Sequence, residues 1–285
     1  MNIKKISEQL EESLTLKTIA QAYSEISSSR LGNIRGDMEN NIIFAKEIGD
    51  VSFLVKTEAI KRGLTLPLKK VGVIHVCITS NNRFYGNLER PLVRYFAEST
   101  QKIALASPKI PQIRIVIGKT GATYLSSIKY SLPFKSLIFG KDFPNPNEFQ
   151  SLYGEVKDYQ TALVYHSRFK TVITQIPVVS DISQSIILPD KNQDPLRFIF
   201  EPEIEEILKF FEGQIQQILL DQTFLESELS RTASRLTSMD TAQSNADDVV
   251  KLQKKALSSA RRSEDNNKLL EIIGATSLKR RIKYG

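Results

Sequence analysis

Tryptophan is absent from this 285-residue sequence, cysteine occurs once and histidine twice. The single Cys77 excludes an internal disulfide. His75 and Cys77 stand two apart on one predicted strand, and without a second ligand pair they do not make a metal site. No apolar run reaches the ~18 residues that a membrane-spanning helix needs. The N-terminus has no apolar signal core, and its early Glu8, Glu11 and Glu12 argue against a transit peptide. The most informative absence is of helix breakers: residues 214–273, 60 in all, hold neither Gly nor Pro. As a helix rising ~1.5 Å per residue, that run would be ~90 Å long.

What fills this run is a heptad. Ile204, Leu208, Phe211, Ile215, Ile218, Leu225, Leu229, Leu236, Met239, Ala246, Val250, Leu257 and Ala260 follow alternating steps of four and three. Only Gln222, Thr232, Gln243 and Gln253 interrupt the apolar seam with polar residues. A seam this long is that of a coiled coil, and such a helix needs a partner to cover it. Residues 2–60 supply one, with Ile3, Ile6, Leu10, Leu14, Ile19, Ala22, Ile26 and Leu31 as its seam. Gly32, Gly36 and Gly49 each cost about 1 kcal/mol against Ala, so a bend or an interruption after Leu31 is expected. If the helices run antiparallel, the small-residue stretches 22–29 and 256–260 are expected to lie opposite one another.

Between the helices the period changes. Residues 71–79 (VGVIHVCIT) and 112–117 (QIRIVI) are β-branched runs of buried strands. Further strands are predicted at 161–166, 171–177 and 196–200, with an exposed loop at 188–195. Helices are predicted at 87–106, near 122–128, and from 144–147 to about 159. Alternating strands and helices make an α/β sheet. The expected architecture is an N-terminal coiled-coil helix (1–62), a Rossmann-like α/β domain (63–202) and a C-terminal coiled-coil helix (203–285). The net charge of +7 belongs to the centre: the two helical ends balance, while 63–202 carries seventeen basic and ten acidic residues.

Catalytic constellations are scarce. Gly118, Lys119 and Thr120 follow a strand as in a phosphate-binding loop, but the Gly required five residues earlier is Ile113. His166 ends a strand, Asp247 and Asp248 read as a solvated helix face, and the basic tail at 279–283 is short. No nucleophile–base set or carboxylate pair suggests an enzyme, and no cofactor is implied. A coiled-coil adaptor binding nucleic acid through the basic centre is the rival class.

Several stretches resemble one family, the gamma subunit of F-type ATP synthases, which is their central rotor shaft. RLTSM at 235–239, Asn245, Ala260, Arg261 and LLEI at 269–272 fall without gaps on the pattern RMxAM…N…AR…LxEI. IFEP at 199–202 is similar to Y-x-[YF]-E-P, RF at 168–169 with QIP at 175–177 to the segment F-x-[ST]-x(3)-Q-x-P, and IGKTG at 117–121 to a glycine turn. The signature TSDRGLCGGLN stands here as TSNNRFYGNLE at 79–89, without the Asp–Arg pair and most of the Gly. Tyr23 replaces a usual Met of the first helix, Asp240 a Lys, and Lys268 a Glu.

The resemblance implies a non-catalytic subunit for ATP synthesis, transmitting torque between an ion-driven membrane c-ring and a catalytic ring of alpha and beta subunits. It implies an epsilon-type partner, one copy per complex, no nucleic acid, and a peripheral membrane location on the cytoplasmic face of a bacterial plasma membrane. The torque contacts it assigns are Tyr23, Arg235, Met239, Asp240, Arg261, Asn266, Lys268 and Glu271, and it assigns no catalytic, cofactor or metal residue. The departures keep a Na⁺-coupled or hydrolysis-only rotary ATPase as the alternative to proton transport. Asp240 is expected either to pair within the chain or to meet a basic partner group, because two facing carboxylates repel by about 1 kcal/mol at ~4 Å. With no phosphate-binding loop, the purified chain alone is expected to hydrolyse no ATP. Turnover that persists after contaminating ring proteins are removed is the contrary result.

Overall fold

The structure, a computed structural model, describes residues 3–62, 70–183 and 203–284. Ten elements follow in order: α1 (Ile3–Lys61), β1 (Lys70–Ile78), α2 (Glu89–Ala106), β2 (Gln112–Ile117), α3 (Lys119–Ser127), β3 (Lys135–Leu137), α4 (Pro146–Val156), β4 (Tyr159–Phe169), β5 (Gln175–Asp181) and α5 (Ile204–Tyr284). The fold is the expected pair of long terminal helices around an α/β sheet. Contacts divide the chain into one unit of Met1–Ile26 with Leu236–Gly285 and another of Ser27–Arg235.

In the larger unit the strand order is β3-β2-β1-β4-β5, parallel except for antiparallel β5 on β4. Both faces are covered. Leu92, Val93 and Phe96 of α2 and Leu125 of α3 pack on one side with Cys77, Val116 and Tyr165. On the other side Ile74, Val76, Ile115 and Val164 meet Leu152 and Val156 of α4 and Leu220 and Phe224 of α5. The Phe224 ring lies 6.2–6.4 Å from those of Phe139, Phe143 and Phe149. α5 is therefore a core element of the sheet as well as a partner of α1.

The burial pattern of α5 records both duties. Ile215, Ile218, Leu225 and Leu229 of the heptad seam are buried, and so is a second row, Leu220, Phe224, Ser227, Arg231 and Ser234. The second row also steps by four and three, but three of its five members are polar. Between the helices, Val55 and Ala59 of α1 pack with Ile204 and Leu208 of α5. Asn41 donates to Asp221 at 3.0 Å and Lys56 approaches Glu212 at 3.7 Å, so rising numbers on α1 meet falling numbers on α5. The helices run antiparallel.

Four expectations need correction. α1 is not interrupted after Leu31: it is one helix through Gly32, Gly36 and Gly49, because isolated glycines weaken a helix without breaking it. Its seam is misread from Leu14 onward. In the smaller unit the buried residues of α1 are Ile6, Ser13 and Ala20, spaced by seven, while Leu14, Ile19 and Ile26 are exposed. Small side chains let the helix backbones approach, so the close line passes through Ser and Ala. The small-residue stretches do not face each other either: Lys17 pairs with Asp247 at 2.6 Å, which sets 256–260 opposite roughly residues 4–8. Lastly, the strand predicted at 171–177 begins later. Thr171 and Thr174 exchange backbone hydrogen bonds in a tight turn, and β5 starts at Gln175. The three-residue β3 escaped sequence reading, while α4 begins where expected, on a capping box of Asn145 and Glu148 with Pro146. The predicted strand at 196–200 and loop at 188–195 lie outside the described residues, and both proposed domain boundaries border such segments.

If α5 is part of the sheet's core, Phe224→Ala should destabilise the whole larger unit by about 3–5 kcal/mol. Chemical denaturation followed by tyrosine fluorescence and far-ultraviolet dichroism should then show sheet and helix lost together at lower denaturant. An unchanged midpoint is the opposing result.

Candidate functional site

The residues assigned to torque divide between the two units. Arg235 is the last residue of the larger unit, while Tyr23, Met239, Asp240, Arg261, Asn266, Lys268 and Glu271 belong to the smaller. Met239 is half-buried; Asp240 is exposed and enters no ion pair recorded among the described residues. Burial on α5 thins beyond the sheet, and after Leu257 every residue from 261 to 273 is exposed. Lys268 pairs there with Glu264 at 2.8 Å, one helical turn away. Leu269, Leu270, Ile272 and Ile273 all lie open on this stretch. A second exposed row stands on α1: Leu16, Ile19, Tyr23 and Ile26 are 63, 48, 39 and 53% exposed. Their spacing of three, four and three places them on one helix face. Among the described residues, the smaller unit thus presents two exposed apolar rows.

The strand-to-helix turn at Gly118 has a definite occupant. Gly118 has φ 96°, and a Cβ there would lie 2.6 Å from the Ser80 carbonyl. The amides that open α3 are spent within the protein: Lys119 donates to Asn81 Oδ1 (3.2 Å), Thr120 to the Ser80 carbonyl (3.0 Å) and Gly121 to Thr79 Oγ1 (3.1 Å). A phosphate would have to displace all three. Glu89 closes the same turn, accepting from the Ser80 amide at 2.7 Å and from the Thr120 hydroxyl. Burial pushes its carboxyl above the usual range, with those two hydrogen bonds opposing.

In a sheet of this order, ligands usually bind outside the carboxyl ends of β1 and β4, where the winding reverses. Here α5 crosses that end. Ser230 donates to the Ser167 carbonyl of β4 at 2.8 Å, and Ser234 to the Tyr85 carbonyl, in the loop after β1, at 2.8 Å. Arg231, buried and paired with Glu228 at 3.0 Å, donates to the Asp142 carbonyl at 3.1 Å. Arg235 lays its guanidinium 4.6 Å from the centre of the Tyr85 ring and donates to the Tyr85 hydroxyl. That hydroxyl donates in turn to Asp142 at 2.5 Å. Asp142 also accepts from the Asn81 amide (2.6 Å) and the Asn82 side chain (3.1 Å). Burial would raise the Asp142 carboxyl, but the Tyr85 hydroxyl, the Asn81 amide and Arg231 outweigh it and hold the group below the usual carboxylate range. Sequence reasoning missed Tyr85, Asp142 and Arg231. Tyr85 stood in the altered signature at 79–89, which was the one available signal.

A cavity of about 300 Å³ lies between β4, β5 and α5, lined in part by His166, Arg168, Ser180 and Glu226. Its charges serve one another: Arg168 meets Glu226 at 3.3 Å, and His166 Nε2 bonds the Ser180 hydroxyl at 3.0 Å. Among the described residues no group of His, Cys, Asp and Glu could hold a metal ion.

The ATP-synt family, described as ATP synthase, matches residues 2–278. An ATP synthase gamma chain of Staphylococcus saprophyticus is 23% identical over 96% of this chain and 98% of its own length. One from Clostridium acetobutylicum is 25% identical over 94% and 95%. Among solved structures, the central stalk of the Tetrahymena thermophila mitochondrial ATP synthase superposes with a TM-score of 0.56 at 19% identity, covering 79% of this chain and 99% of that one. The rotor of the Euglena gracilis enzyme gives 0.57 at 14%, covering 92% and 98%. These two structures share the fold.

Both histidines of the sheet set a pH limit on stability. His75 and His166 are fully buried, and burial, with Arg114 and Arg168 respectively adding to it, lowers each to about 4. A depressed value means the unfolded chain takes up the proton first, so this stability is full above pH 6.5 and lost as pH falls toward 4. The loss approaches about 1.4 kcal/mol per pH unit for each histidine. Glu89 and Glu226, raised by burial, oppose part of it at the acid end. Denaturation midpoints should fall between pH 6.5 and 4.5, and His166→Gln should reduce the slope. A flat profile would contradict this.

Proposed function

The chain belongs to the ATP synthase family, as a gamma-type central-stalk subunit, and we propose that it carries torque between an ion-driven membrane ring and a catalytic ring of alpha and beta subunits. The observation that supports this most is the exposed apolar surface of the smaller unit: Leu16, Ile19 and Ile26 of α1, and Leu269, Leu270 and Ile273 at the end of α5. Apolar side chains exposed in such rows call for a partner. A surrounding ring covers them with many weak dispersion contacts, none deep enough to stop a sliding surface. Nucleotide chemistry belongs to the beta subunits in this reading, and the chain itself contributes shape.

Arg235, Met239, Asp240, Arg261, Asn266, Lys268, Glu271 and Tyr23 present the polar and bulky points by which the ring grips. In the larger unit, Ile43, Phe44 and Val51 of α1 are exposed and offer an apolar footing for the c-ring and an epsilon-type subunit. One copy per complex fits an axle at the centre of a ring, and the same reading assigns the chain to the cytoplasmic face of a bacterial plasma membrane. Asp240 is exposed and enters no ion pair among the described residues, which favours a basic partner group over an internal pair.

Tagged chain purified from native membranes should bring down alpha, beta and epsilon-type subunits identified by mass, with ATP hydrolysis in the eluate. Recovery with nucleic acid alone, released by salt, is the result that refutes the reading. In the reconstituted complex, Asp240→Lys should slow ATP-driven rotation, whereas an acidic partner group would let it run at least as fast as wild type.

A further inference from the structure

Torque that enters α5 from a surrounding ring has to leave it for the α/β sheet, and the passage needs a joint. We infer that Tyr85, clamped between Arg235 and Asp142, is the positioning residue of that joint; the inference rests on the central-stalk reading above.

Three residues on consecutive turns of α5, Arg231, Ser234 and Arg235, all bond to the same two places, Tyr85 and Asp142. Those two residues lie in loops at the carboxyl ends of β1 and β3, so one stretch of helix is tied to the centre and to one edge of the sheet. The tie is also located at a boundary. Arg235 closes the sheet-bearing unit and Leu236 begins the other, so a twist travelling down α5 first meets the sheet at this turn.

The chemistry suits load. The Tyr85 ring is 4% exposed and has few rotamers to lose, so it is a stiff connector. A guanidinium over its face and a carboxylate on its hydroxyl resist displacement in two directions, and both contacts involve full charges. Asp142 is braced by the Asn81 amide and the Asn82 side chain. A pull on Arg235 is therefore passed to the loop after β1. The apolar packing of Leu220 and Phe224 lies further along the helix and holds by area, which resists separation better than rotation about the helix axis.

The test uses the assembled, membrane-reconstituted complex with Tyr85→Phe, Asp142→Asn and the double variant. Tyr85→Phe keeps the ring in place and removes only the hydroxyl relay. ATP hydrolysis and ATP-driven ion pumping are read together. The expected result is hydrolysis near wild type, with ions pumped per ATP falling about threefold or more in each single variant. The double variant should be no worse than the poorer single one, because one joint is broken in all three. Should Tyr85→Phe fail to assemble, Asp142→Asn, which keeps the shape of the side chain and removes its charge, is read in its place. Amide exchange at residues 81–86 within the complex should rise in every variant. A pumping ratio and exchange equal to wild type overturn the joint. Equal losses of hydrolysis and pumping, with the ratio intact, overturn it too, since that is general damage. A wild-type complex that lacks this chain, or hydrolyses without pumping, instead sinks the central-stalk reading.

Discussion

The double burial of one helix governs this molecule. Over residues 215–234, α5 has almost no free side: its heptad seam is buried, and so is the row of Leu220, Phe224, Ser227, Arg231 and Ser234. A helix covered on one stripe can roll under load. One held along two stripes resists both rolling and sliding, because each stripe interdigitates with a different body. The sheet thus gains a core element in α5, and α5 gains a fixed orientation toward the sheet. Removing either hold would leave a helix with an exposed apolar face, which explains why the same segment carries both.

The two rows were not equally legible. The seam is written in Ile and Leu at four-three spacing, and periodicity exposes it. The second row uses Ser227, Arg231 and Ser234, residues that pattern reading assigns to solvent, yet all three are buried. Such residues can be buried because Arg231 and Ser234 find carbonyl partners on Asp142 and Tyr85. On α1 the error ran the other way. Large apolar residues suggested the contact line, while Ser13 and Ala20 make it. Hydrophobicity marks where a helix wants cover, and small size marks where a neighbour comes close. The strands at 71–79 and 112–117 were plain from their β-branched runs, whereas β3 is too short for any period to show.

The site was legible only through likeness to a family. Arg235, Met239, Arg261 and Glu271 fall on its pattern, but nothing in their spacing alone distinguishes a partner-gripping residue from an ordinary exposed one. The joint of Tyr85, Asp142 and Arg235 was hidden for another reason: its members stand 57 and 150 residues from Tyr85, and only the fold unites them. Sequence reading registered 79–89 as a signature that had lost its usual residues. The structure gives the altered loop a use, since Tyr85, Asn81 and Asn82 all bind Asp142. Loss of a family's residues at a site can accompany the building of a different contact there.

The two units solve different problems with one pair of helices. The larger has apolar cores on both faces of its sheet, so much of its stability is its own. The smaller buries little beyond Ile6, Ala20, Val250 and Leu257, and leaves Leu16, Ile19, Ile26 and the α5 end open. Two helices joined along so thin a line would not hold together on hydrophobic burial alone for long stretches; helix continuity with the stable unit helps, and cover from outside completes the balance. A surface that must turn against its surroundings cannot be locked to them by deep pockets or buried ion pairs, since each would have to break at every step. Shallow apolar rows with charges at the margin suit that demand. The weakness of the smaller unit as a free body is therefore the same property that lets it move as a bound one.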